Sequence, residues 1–246
     1  MLNQQIEHAA LNSWPAFQQL LYDGWLLRFA DGFTKRANSI TPLYPSTFEI
    51  NQKIDYCEQL YYENGLPTIF RIPSFVEEIH LDESLARRNY EKRDLTRVLL
   101  LNLAGNKEDI GPEFSLTNVD LDEWLVCYAA CDHSFSSSDP IFKQLLANIV
   151  TTPCFGILKL NEQMVGCGLA VVEREFVGLF KLIIHPDFRG KGYGKKLLFA
   201  LLSWAEKAGA SNAYLQVEDE NQTARALYAR LGFEEIYHYW YRILKS

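Results

Sequence analysis

A mixed α/β fold is predicted by three features of this chain. Runs of alternating or continuous apolar residues recur along it, segments of helical periodicity fall between them, and residues 176–217 read as strand, helix and strand in turn. A strand–helix–strand unit of that length closes as a right-handed crossover, so strands 176–184 and 213–217 are expected to lie parallel in one sheet.

The elements follow in order. In the first half, 25–40 reads as a hairpin turning at Ala30-Asp31-Gly32, 54–63 as a helix and 69–72 as a strand. Residues 102–114 are the expected linker, because Gly105, Gly111 and Pro112 interrupt both periodicities and charges sit between them, which places a boundary near residue 112. Two helices are expected next, 121–131 and 141–150, the second opened by Asp139 and Pro140 in cap and first-turn positions. A meander follows: strand 154–160, the polar turn 161–163, strand 164–172, the turn 173–175 and strand 176–184, which Pro186 ends. Residues 195–208 carry apolar side chains at 197, 198, 201, 204, 205 and 208, the spacing of an amphipathic helix, and Gly209 stops it. After strand 213–217 come helix 221–230, its terminator Gly232, and an aromatic strand over 233–244.

The first half reads as a trimmed copy of the second. Hairpin 25–40 matches 155–170, the helix and strand through 69–72 match the later helix and 214–217, and 85–90 matches 228–233. The offset lengthens between the first two matches, where the second half carries strand 176–184 and the loop after it. The first half is therefore expected to lack that piece.

Composition narrows the function. The chain has 246 residues, 48% hydrophobic and 22% charged, close to a globular average and unlike a disordered polymer. Its 24 basic against 31 acidic residues leave a net charge of −7, which repels phosphate backbones and anionic lipid, so neither nucleic acid nor membrane is expected as a partner. The opening MLNQQIEHAA has no basic segment followed by an apolar core, and apolar runs such as 98–101 and 197–202 stop short of a membrane span. A cytoplasmic protein is expected. Cysteines 57, 127, 131, 154 and 167 are odd in number and lack CxxC spacing, so reduced, buried thiols are expected in place of disulfides or a metal site.

The chemistry concentrates in 182–196, LIIHPDFRGKGYGKK. Gly190, Gly192 and Gly194 let the backbone approach a ligand, and the helix starting there aims free N–H groups and its positive dipole end at the same spot. Arg189 and Lys195 add charge suited to phosphate oxygens. The run is not a Walker loop, since no GxxxxGK is followed by Ser or Thr, and its GxGxG spacing is not a dinucleotide fingerprint.

HPDFRGKGYGKKLL resembles the acyl-CoA signature of the GCN5-related N-acetyltransferases, Arg/Gln-x-x-Gly-x-Gly/Ala, with Arg189, Gly192 and Gly194 in the defined positions. The segment from Asn221 through Tyr228 to Gly232-Phe233 resembles that family's second block, in which an Asn opens a helix and a Tyr precedes a Gly-Phe turn. The resemblance covers about residues 115–246. Trp25-Leu-Leu-Arg and Arg36-Ala-Asn-Ser39 also look like a subtype with an extra N-terminal half.

The resemblance implies two family-like units, each a mostly antiparallel mixed sheet with flanking helices: a degenerate one over 1–112 and a catalytic one over 113–246 with a splayed parallel strand pair. The implied reaction is direct transfer of an acetyl group from acetyl-CoA to an amine, with no metal. Pantetheine would pair with the backbone of Leu182, Ile183 and Ile184, and the pyrophosphate would lie on Arg189, Gly190, Lys191, Gly192, Tyr193, Gly194 and Lys195. Asn221 belongs to the same implied cofactor site, though an N-cap explains it equally well. Tyr228 would bind beside the thioester and protonate the departing thiolate.

The base for the acceptor ammonium stays open among Glu175, Glu218 and His133, and Tyr237, Tyr239 and Tyr241 on one strand face are either sheet packing or a wall of the acceptor pocket. An acyl-CoA-binding sensor and a longer-acyl transferase are the alternatives. The acceptor amine is not specified, and either a monomer forming a pseudo-dimer or a homodimer is compatible with the two halves.

Overall fold

A computed structural model describes residues 2–76, 80–106 and 108–244. The elements run α1 (Leu2–Ser13), β1 (Gln18–Tyr22), β2 (Trp25–Phe29), β3 (Ile40–Pro42), α2 (Ile50–Glu63), β4 (Ile69–Pro73), α3 (Leu81–Arg87), β5 (Tyr90–Asn102), β6 (Phe114–Val119), α4 (Leu121–Cys131), α5 (Pro140–Ala147), β7 (Thr152–Leu160), β8 (Gln163–Glu173), β9 (Phe176–Ile184), α6 (Tyr193–Lys207), β10 (Asn212–Glu218), α7 (Gln222–Arg230) and β11 (Glu234–Leu244). The fold is the mixed α/β one expected, and among the described residues no helix is long and apolar enough to cross a membrane.

The chain forms two compact units that interleave along the sequence. The first holds the residues up to Gln5, Trp14–Leu99 and the chain from Val217 onward; the second holds Ile6–Ser13 and Leu100–Gln216. The interleaving follows strand pairing. β11 lies antiparallel on β4, with Trp240 opposite Ile72 and Tyr241 opposite Arg71, so α7 and β11 join the first unit.

In the first unit the strands take the order β1-β2-β3-β4-β11-β5. Its core gathers Trp25, Leu27, Ile40, Ile54, Tyr61, Phe70, Leu85 and Tyr90, all buried. β3 and β4 are parallel, Ile40 opposite Phe70, and α2 connects them. That corrects the expectation that the first half lacks a counterpart of strand 176–184: the strand is present but only three residues long, and it ends on Pro42, too short to show a period. The tight hairpin also lies elsewhere. β1 and β2 join through Asp23 and Gly24, both at positive φ, whereas 30–39 is a longer loop held by Asn38, whose Oδ1 accepts from Ala30 N at 2.7 Å and Gly32 N at 3.0 Å. Buried Arg28 braces this loop through Arg36 O at 2.9 Å and through the carbonyl of Trp14.

In the second unit the order is β10-β9-β8-β7-β6, antiparallel except for the expected parallel pair β9 and β10. Paired Gly156 and Gly168 let α6 lie close to the sheet, since a Cβ at either would come within 3 Å of Leu201. Neighbouring Phe155 must point to the opposite face, where Trp124 of α4 packs 5.8 Å from its ring. α4 and α6 thus cover the two faces. α5 ends at Ala147, three residues before the expected end, with Asn148 as its C-cap. The five cysteines are free; four are buried, as expected, and Cys127 is only partly so.

Candidate active site

The site begins with a register change in β9. Leu169 of β8 faces Phe180 and Cys167 faces Ile183, so three steps on β9 match two on β8. The extra residue is a β-bulge, and Lys181 sits in it at φ 51°, a left-handed conformation costly for a residue with a Cβ. On the other edge, the parallel pairing with β10 runs from Asn212–Phe176 to Leu215–Leu179, while β9 continues to Ile184. Past Leu179 the strand therefore keeps β8 on one side and opens on the other. Leu182, Ile183 and Ile184 lie in that opened stretch, half-buried, where a backbone edge invites an extended ligand.

The chain then enters α6 through a short 3-10 turn over Pro186–Phe188 and the glycines. Gly190 at φ 76° and Gly192 at φ 78° adopt conformations that favour glycine, and a Cβ at either would project into open space. Gly192 is the N-cap of α6 and supplies no capping side chain. The N–H groups of Tyr193 and Gly194 are thus available to an anion, while Lys195 N donates to Gly192 O at 3.1 Å. Gly194 is different: it is helical, and a Cβ there would meet Ile184 Cγ1 at an ordinary 3.9 Å.

The side chains of this run have protein partners. Arg189 donates through Nε to Ile184 O at 2.9 Å and through Nη2 to Cys131 O at 3.0 Å, tying the end of β9 to the C-terminus of α4, where a cation suits the helix dipole. Lys191 Nζ donates to Asp187 O at 3.2 Å, and Lys195 Nζ pairs with Glu108 Oε2 at 2.6 Å. Tyr193 packs its ring edge-on to Phe114 at 5.2 Å.

Tyr228 lies on α7, in the first unit. Burial pushes its hydroxyl pKa up, its ring meets Phe233 at 5.6 Å, and its hydroxyl makes no hydrogen bond to a described residue. Asn221 caps α7, its Oδ1 accepting from Ala224 N at 3.0 Å.

Of the three candidate bases, Glu175 is displaced. It stands in the β8–β9 turn, its carbonyl accepting from Ser211 and Asn212, and the whole paired segment of β9 separates it from the opened end. His133 is exposed in the loop after α4, in the unit that holds the cradle, and Glu218 closes β10. Tyr237, Tyr239 and Tyr241 are buried packing, with the Arg71 guanidinium 3.7 Å from the centroid of the Tyr239 ring. Sequence reasoning missed Lys181 and Asp132 beside the bulge; the one visible signal was a lysine breaking the apolar run FVGLFKLII.

The first unit's matching helix entrance is closed by its own carboxylates. Asp23 accepts from Thr47 N, Phe48 N at 2.9 Å and Thr47 Oγ1 at 2.7 Å, and Glu49 caps α2 through Asn51 N at 2.8 Å and Gln52 N at 3.2 Å. Although desolvation pushes the Asp23 carboxyl up, the Phe48 and Thr47 donors and Lys53 hold it well below the usual carboxylate range.

This fold, with its opened parallel pair and glycine-flanked helix entrance, is that of an acyltransferase of the GCN5-related N-acetyltransferase superfamily. More narrowly, the family model described as probable histone acetyltransferase Rv0428c, C-terminal, matches residues 4–242, and the chain belongs to that family. It is 30% identical to an uncharacterized N-acetyltransferase, YobR, of Bacillus subtilis, over 98% of both chains. A GCN5-related N-acetyltransferase structure from Kribbella flavida superposes with a TM-score of 0.73 at 13% identity, covering 99% of this chain and 95% of that one. A tandem protein of the same superfamily, from the clavulanic acid biosynthesis pathway, superposes with a TM-score of 0.62 at 12% identity over 90% of this chain and 78% of its own.

Proposed function

We propose that the chain transfers the acetyl group of acetyl-CoA directly to the amine of an acceptor, in a ternary complex at one site per chain. The observation that carries this reading is the uncapped, glycine-flanked start of α6 lying directly after the opened end of β9. Pantetheine pairs with the free edge of Leu182–Ile184, and the pyrophosphate takes the N–H groups between Arg189 and Lys195, where the helix dipole and basic residues favour negative charge. Arg189 acts chiefly by fixing the loop, since its guanidinium is held by two carbonyls.

The acceptor, as its free amine, attacks the thioester carbonyl, a tetrahedral oxyanion forms that backbone N–H of the bulged strand stabilises, and the surplus proton on nitrogen passes to water. As the C–S bond breaks, Tyr228 gives its proton to the CoA thiolate. Burial pushes its pKa further above the ordinary tyrosine value, so the hydroxyl carries the proton an acid needs.

Residues 113–246 carry the cradle and Tyr228, and 1–112 form a degenerate half that takes no acetyl-CoA; the closed entrance at Asp23 and Glu49 supports this. The test is calorimetric titration with acetyl-CoA followed by thiol release with a panel of amines. Tight binding with amine-dependent CoA release fits the proposal, binding without release identifies a sensor, and no binding refutes the site.

A further inference from the structure

Lys181 stands out because β9 is otherwise apolar and because it occupies the bulge itself. Its side chain is exposed and turned toward α4 and α5, its ammonium 5.5 Å from the centroid of the Tyr128 ring and 5.7 Å from that of Phe142. These rings belong to one cluster: Phe135 meets Phe142 at 4.7 Å and Tyr128 at 5.1 Å. Beside it, at the C-terminus of α4, Asp132 accepts from Ser134 Oγ at 2.6 Å, Ser134 N at 3.1 Å and the Tyr128 hydroxyl at 3.2 Å. The Ser134 hydroxyl, chiefly, with Tyr128 and the charge of Lys181, holds that carboxyl below its ordinary range, so it is ionised. An exposed cation and a hydrogen-bonded anion therefore stand against one aromatic cluster, of which Phe135 is the partly exposed member, next to the strand position where the β9–β10 pair has opened.

Resting on the acetyltransfer reading above, we propose that this surface is the acceptor subsite and that Lys181 determines specificity: the acceptor is an amine bearing a carboxylate a few bonds away, an α-amino acid or a compound built like one. Asp132 draws the acceptor's ammonium and Lys181 its carboxylate, while the partly exposed Phe135 ring offers the apolar contact, with Tyr128 and Phe142 buried behind it. A polyamine or another multiply cationic acceptor would bring positive charge against Lys181 and be disfavoured. Both charged groups sit in the unit that holds the cradle, and Lys181 interrupts a strand whose other positions are apolar, so its cation meets whatever enters beside the bulge.

The experiment compares alanine, glutamate, lysine and phenylalanine as free acids with their α-carboxamides and with spermidine, in wild type, Lys181→Met and Lys181→Arg. Initial rates of acetylation are one readout; the other, independent of turnover, is calorimetric binding of the same compounds to protein saturated with CoA. The expected result is a free acid favoured at least tenfold over its amide, a preference lost in Lys181→Met, kept in Lys181→Arg, and accompanied by poor use of spermidine. Equal treatment of acid and amide by the wild type, spermidine as the best substrate, or an unchanged preference in Lys181→Met overturns the proposal. If no amine is acetylated, the acetyltransfer reading fails, and the binding preference still decides the role of Lys181: its presence and loss in Lys181→Met sustain it, and its absence removes it.

Discussion

Glu108 Oε2 stands 2.6 Å from Lys195 Nζ, so the linker between β5 and β6 ion-pairs with the first turn of the helix that follows the glycine cradle. The next residue repeats the contact through its backbone, Asp109 O accepting from Lys196 Nζ at 3.3 Å. Both lysines are thus engaged by the linker, and an incoming pyrophosphate has to compete with Glu108 for Lys195.

Removing that competitor should tighten cofactor binding. Exposed ion pairs contribute about 0 to 1 kcal/mol, so Glu108→Gln is expected to raise acetyl-CoA affinity by up to about fivefold at low salt, with a smaller gain at high salt. Calorimetry at two ionic strengths checks this. A weaker complex would mean that Glu108 orients Lys195 for the ligand.

The cradle itself should be intolerant of charge and of a Cβ. Gly192 has a positive φ and opens to space that the phosphates are proposed to fill, so Gly192→Asp combines backbone strain, bulk and repulsion. Arg189→Glu removes two hydrogen bonds to carbonyls, charge-assisted bonds worth about 1.5 to 3 kcal/mol each. The double variant is expected to lose well over tenfold in acetyl-CoA affinity, and unchanged affinity in a folded double variant would refute the assigned site.

Tyr228→Phe keeps the ring that packs on Phe233 and removes the hydroxyl. Acetyl-CoA affinity should stay within a few-fold, while turnover falls about a hundredfold, at the low end for a general acid. Because burial raises the Tyr228 pKa, loss of its proton should depress the wild-type rate only above about pH 10, the ordinary tyrosine value. Presteady-state rates of wild type and variant across pH make the comparison; equal rates would assign the proton to another donor.

What could be read in advance depended on how local the cause was. Asp139-Pro140 and Asn221 announce helix starts, because a cap needs only its own next turn, and both cap as expected. The β9–α6–β10 crossover is legible because each element is long enough to show its period. β3 is not, with three residues ending on proline, and neither is α1, whose mixed run LNQQIEHAALNS hides a helix. The bulge at Lys181 is a property of the register between two strands, so the lone lysine in an apolar run marks the position without revealing the bulge. The same holds for β11 choosing β4 and for Glu108 meeting Lys195, contacts between residues far apart in the chain.

Asp23 occupies the N–H groups of the loop leading into α2 and Glu49 those of the helix's first turn, the place where the second unit leaves its own helix start open. An anionic cofactor would have to displace two anions held by seven hydrogen bonds from Thr47, Phe48, Asn51 and Gln52, with no glycine trio to admit it. Titration should therefore give one acetyl-CoA per chain. The first half also carries the strand on which the last one pairs, β4 against β11, above a core that includes Trp25, Leu27, Phe70 and Tyr90. Deleting residues 1–104 removes both neighbours of β11, β4 and β5, and should expose the inner faces of Tyr237, Tyr239 and Tyr241, so the fragment is expected to aggregate. Light scattering and cofactor titration on the fragment and the full chain measure both expectations. Two sites per chain, or a monodisperse and fully active fragment, would mean that the N-terminal half neither closes its own entrance nor holds the last strand in place.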